Sequence, residues 1–111
     1  MQIDQGRRTF SDNTSMIELF VKESTKAIEK IKRHEPQHET KHLLRTIREL
    51  RYASLEIGAH LFSFLLLNLE IALLENRLED WSNIFALLEK EHMTLIKNLE
   101  SELNLKAHLV A

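Results

Sequence analysis

Apolar residues recur at helical spacing along most of the chain. Ile17, Phe20, Val21, Ser24, Ala27, Ile28 and Ile31 fall on one stripe of a 3.6-residue period. Ser15-x-x-Glu18 has the form of a capping box, in which the hydroxyl accepts from an early helix N–H and the carboxylate reaches back. The pattern therefore predicts a first helix starting near Ser15. Residues 1 to about 12 are expected to form a short irregular lead-in, with Ile3 and Phe10 available to cap the domain. His34-Glu35-Pro36 ends the first helix, because proline cannot continue the hydrogen-bond ladder.

A second helix is predicted from about Gln37 to Ile57, with Leu43, Ile47, Leu50, Ser54 and Ile57 on its core face. Gly58 is a candidate stop or kink. Ala59 and His60 lead into a third helix that reaches about Glu75, where Asn76 can serve as a left-handed cap. A fourth runs from about Glu79 to Asn104. Glu79 and Asp80 suit its positive N-terminal end, and Trp81, Phe85, Leu88, His92, Leu95, Leu99 and Leu103 line one face. Four helices with short connections predict an all-α, antiparallel up-and-down four-helix bundle, one domain over residues 1–111 with its core at about 12–104.

The third helix is apolar nearly all round. One arc holds Leu61, Phe62, Leu65, Leu66, Leu69 and Leu73, and the other Phe64, Leu67, Ile71 and Leu74. Only Ser63, Asn68 and Glu70 separate them. Such a helix calls for cover on both sides. Its neighbours and the N-terminal lead-in are one source of cover, and a second copy or a partner protein is the other.

Composition narrows the functional classes. The chain has 111 residues, 43% hydrophobic and 29% charged, with two glycines and one proline. That favours a soluble domain of long helices. The formal charge of −2 offers no basic excess for nucleic acid. Without cysteine there are no disulfides, no thiol catalysis and no Cys-ligated zinc. The longest apolar run, Phe64 to Leu67, is far short of the ~20 residues that span a bilayer. Met1 to Phe10 is polar, carries Arg7-Arg8 and has no signal-peptide core, so a cytoplasmic, non-membrane protein is expected.

Arg48-Glu49-Leu50-Arg51-Tyr52-Ala53-Ser54-Leu55-Glu56-Ile57-Gly58-Ala59 carries the one recognisable motif. It resembles the signature of histidine phosphotransfer (HPt) domains, His-x-Leu-Lys-Gly-Ser-Ser-x-x-Leu-Gly-Ala. Leu50, Ser54, Gly58 and Ala59 match outright, and Arg51 and Ile57 match in kind. The resemblance extends loosely over residues 12 to 104, with an aromatic in the first helix at Phe20 and a similar turn from Leu74 to Trp81. It implies a four-helix phosphorelay module of two-component signalling that docks receiver domains.

The two most chemistry-specific positions depart from the family. Arg48 stands where the phosphate-carrying histidine belongs, and Tyr52 where the family has the glycine over which the receiver backbone approaches. A guanidinium stays protonated at any physiological pH and has no lone pair to attack phosphorus. The resemblance therefore implies a non-enzymatic, cofactor-free member. It would bind the receiver domain of a response regulator or hybrid sensor kinase without carrying phosphate. The expected binding face consists of Leu44, Arg45, Arg48, Arg51, Tyr52 and Leu55, with Lys41 in the same basic row. An ordinary solvated helix face is the plain alternative.

Two further readings remain. The chain could be a structural bundle that homodimerises through its third helix, or an active phosphotransfer protein using another histidine, His42 or His60. His42-Leu43-Leu44-Arg45 echoes His-x-Leu-Lys, but Tyr52, not glycine, lies ten residues on. His60 lies about 120° around the helix from position 48. His38 and His42 are spaced i, i+4, with Glu39 and His34 nearby, yet no HExxH pattern occurs and surface histidines explain them; no metal site is expected. His92 falls on the core stripe, and His108 lies in the C-terminal tail. The acidic residues form no acid–base pair, and the serines lack a nucleophile elbow.

Overall fold

The computed structural model describes the backbone of residues 2–110 and the side chains of residues 14–105. The chain forms four helices: α1 (Gln2–Arg33), α2 (Thr40–Glu56), α3 (His60–Leu74) and α4 (Leu78–Val110). Among the described residues there is no strand. Each helix packs on the next in chain order, and α4 closes back on α1. The molecule is an all-α, four-helix bundle.

The interior boundaries follow local chemistry. α1 ends at Arg33, three residues before Pro36. α2 ends in a Schellman arrangement: Gly58 N–H donates to Leu55 O (3.1 Å) and Ala59 N–H to Ser54 O (2.8 Å), with Gly58 at φ 78°. α3 ends the same way. Asn76, at φ 55°, donates to Leu73 O (3.2 Å), and Arg77 to Ala72 O (2.9 Å). Gly58 is thus a stop rather than a kink, and Asn76 is the left-handed cap that the sequence suggests. Glu79 and Asp80 sit in the first turn of α4.

The ends differ from expectation. α1 begins at Gln2, where an irregular lead-in was expected, so Ser15 lies within the helix and is not its N-cap. No proline interrupts residues 2–15, and a Ser-x-x-Glu pattern inside a longer helical stretch has no free N–H groups to cap. α4 likewise runs past Asn104 to Val110. The side chains of Ile3, Phe10 and His108 lie outside the described residues.

The core is built where the stripes meet. Ile17, Phe20, Ile28 and Ile31 of α1 face Leu43, Ile47 and Leu50 of α2, Phe62, Leu66, Leu69 and Leu73 of α3, and Trp81, Leu88 and Leu99 of α4. Phe20 meets Phe62 edge to face, with ring centroids 6.3 Å apart. Beside them lies one buried polar pair, Ser24 of α1 and His92 of α4, with Oγ and Nε2 2.9 Å apart. Burial disfavours the charged imidazolium and holds the His92 pKa below its usual 6.5.

α3 separates its two apolar arcs. Phe62, Leu66, Leu69 and Leu73 are buried, while Phe64, Leu67, Ile71 and Leu74 are 37–60% exposed. Leu61, which the sequence pattern groups with the buried residues in one arc, is 56% exposed. Among the described residues, no helix is long and apolar enough to cross a membrane.

Candidate functional site

The signature-like segment occupies the second half of α2 and the turn after it. Its matching residues serve the fold. Leu50 is in the core, and Ser54 is fully buried with its hydroxyl donating to Leu50 O at 2.6 Å. Gly58 and Ala59 supply the two N–H groups of the Schellman stop. The two departures at the chemistry-specific positions, Arg48 and Tyr52, both lie on the surface.

Arg48 and Arg51 are not independent. Arg48 Nε donates to Glu70 Oε2 at 2.9 Å, and Arg51 Nη2 to Glu70 Oε1 at 3.3 Å. One carboxylate of α3 thus holds two guanidiniums of α2. The three are unequally placed: the Glu70 side chain is 10% exposed, Arg51 20% and Arg48 46%. Arg51 is the inner member. Its Nε is buried without a partner, and its Cζ lies 5.3 Å from the centre of the Tyr52 ring, within cation–π range. Arg48 is the outer member, with nearly half its side chain still open to solvent.

Lys41, Leu44, Arg45, Arg48, Glu49 and Tyr52 line a shallow depression of about 370 Å³ on the outer face of α2. Five expected residues therefore meet in one place. Arg51 lies behind them, and Leu55, 45% exposed, lies off the depression. Leu44 is half-buried at the edge of the core. Counting Arg51, four basic groups face two carboxylates, Glu49 and Glu70, so the face is basic although the whole chain is slightly acidic. The arrangement can bind anionic groups with Arg48 and stack or cover apolar surface with Tyr52.

Glu70 is the residue that sequence reasoning missed; it had served only as a spacer between apolar arcs. The available signal was its isolation. It is the one Asp, Glu, Lys or Arg in His60–Leu74, and a carboxylate on so apolar a helix is stable in the interior only with cationic partners. A more enclosed groove of about 470 Å³, between α1 and α2 over Phe20, Ala27, Leu50, Ala53 and Ile57, was also not anticipated.

The histidines are dispersed. His42 lies beside His34, with ring centroids 4.9 Å apart, and His34 Nε2 is 3.1 Å from Glu39. His38 turns instead to Glu35 at 3.6 Å, so His38 and His42 are engaged with different partners. No group of three or more His, Asp or Glu among the described residues is arranged to hold a metal ion. His60 is exposed at the start of α3. No family model, curated protein or solved structure matches the chain.

Proposed function

We propose that this chain is a non-catalytic, phosphotransfer-like docking module of two-component signalling. It is an antiparallel up-and-down bundle whose α2 face binds the receiver domain of a response regulator or hybrid sensor kinase without accepting phosphate. One observation carries the reading. At the position of the phosphate carrier stands Arg48, held at 2.9 Å by the buried Glu70 and still 46% exposed. A guanidinium in that place has no lone pair for attack on phosphorus but presents a fixed, charged donor. Around it, Lys41, Arg45 and Tyr52 extend a basic and aromatic surface suited to the acidic aspartate cluster of a receiver. Short connections between helices in chain order support the antiparallel arrangement.

The test combines the chain with receiver domains from the same organism, each phosphorylated on its aspartate. The expected result is a complex in which the phosphoryl group stays on the receiver. Acid-labile phosphate on this chain, removed by His42→Gln or His60→Gln, would replace the reading with active phosphotransfer. Absence of any complex would remove the docking role.

A further inference from the structure

The outer face of α3 lies outside the α2 site. Phe64, Leu67, Ile71 and Leu74 are 60%, 38%, 37% and 55% exposed. Their spacing is three, four and three residues, the a/d alternation of a coiled-coil seam. The buried arc of the same helix, Phe62, Leu66, Leu69 and Leu73, already meets the core. The seam is thus a second, separate apolar surface on a helix of 15 residues.

Charge selects the occupant. α3 carries one Asp, Glu, Lys or Arg, and that residue, Glu70, is turned inward to Arg48 and Arg51. The middle of the seam therefore offers no ionic group to an acidic or basic partner; its polar neighbours are His60, Asn68 and, just beyond Leu74, the exposed Glu75, which pairs with Arg77 at 3.0 Å. A membrane-surface helix would flank such a stripe with Lys or Arg, and α3 has none. A seam with a neutral apolar middle is matched by an identical one, because two-fold pairing through that middle desolvates no charge on either side. We infer that two copies of this chain pair through α3, with Phe64, Leu67, Ile71 and Leu74 packed against the same residues of the second copy.

Area sets the strength. Five partly exposed side chains, Leu61 included, supply on the order of 400–500 Å² of apolar surface, against about 800 Å² per partner in a standard stable interface. The dimer is accordingly weak and reversible, with a dissociation constant in the micromolar range.

Sedimentation of the full chain from low micromolar to about 0.5 mM tests this. The expected result is a monomer–dimer equilibrium that stops at the dimer. Ile71→Lys should raise the dissociation constant about 100-fold, because a two-fold interface counts the buried ammonium twice. Leu19→Lys, on exposed α1 surface, should leave it unchanged. The chain has no cysteine, so single replacements give a second reading that does not depend on the charged variant folding. Leu67→Cys should form a disulfide-linked dimer on mild oxidation, and Leu87→Cys on α4 should not. A wild type that stays monomeric throughout overturns the pairing, whether or not it binds neutral or anionic lipid vesicles. Growth beyond the dimer without a plateau, insensitivity to Ile71→Lys, or equal cross-linking at positions 67 and 87 also overturns it.

Discussion

Glu70 is 7% exposed on a helix with no other Asp, Glu, Lys or Arg, and its two oxygens meet Arg48 and Arg51 at 2.9 and 3.3 Å. Removing its charge leaves the mostly buried Arg51 without a counter-ion, so Glu70→Gln should cost about 2–3 kcal/mol of stability. Arg48→Ala should cost under about 1 kcal/mol, since its partner retains Arg51 and the side chain is half exposed. Urea denaturation of both variants checks the ranking; equal losses would contradict it. His92 gives a second residue-scale outcome. Its folded pKa lies below its unfolded value, so the unfolded chain takes up the proton first as pH falls. The stability is complete above the unfolded value near 6.5 and is lost as pH falls from there through the lowered native pKa. His92→Gln keeps a polar partner for Ser24 and does not titrate. Melting temperatures at pH 7.5 and 5.0 should therefore differ less in that variant than in wild type. The sequence placed His92 on the core stripe but could not show Ser24, 68 positions away, as its partner. The ion-pair triad was hidden for the same reason: it joins residues 19 and 22 apart across two helices.

At the scale of elements, both short interhelical turns use one device, a left-handed residue closing a Schellman motif. An ideal Cβ at Gly58 would meet nothing within 4 Å, so the backbone at φ 78° is the whole obstacle to a side chain there. Gly58→Ala should cost about 1 kcal/mol and Gly58→Asn less, because Asn tolerates the left-handed region. Thermal melts of the two variants decide this. These stops were legible because glycine, asparagine and proline act locally, through φ and a missing N–H. The helix ends at Gln2 and Val110 were not, since the flanking residues carry no breaker and weak capping patterns recur inside helices. Stripe membership was legible for α1, α2 and α4, each of which has one apolar face. On α3 both arcs are apolar, and periodicity alone cannot say which one turns inward; the packing of its neighbours decides that Phe62, Leu66, Leu69 and Leu73 do.

At the scale of the whole molecule, α2 and α3 carry different surfaces on one bundle. The outer face of α2 is basic and aromatic, whereas that of α3 is neutral and apolar, and Glu70 joins the two helices by pairing inward with Arg48 and Arg51. Leu50, Ser54, Gly58 and Ala59, the residues that match the phosphotransfer signature outright, are accounted for by core packing and helix termination. The functional account therefore rests on the exposed departures, Arg48 above all. The most direct measurement is calorimetric titration of the intact chain with receiver domains from its own organism, comparing wild type with Arg48→Ala at low and high salt. The account predicts salt-sensitive binding to at least one receiver, weakened about 10-fold or more by Arg48→Ala while the fold is retained. Equal affinity of the two proteins for every receiver, or no binding by either, would contradict it.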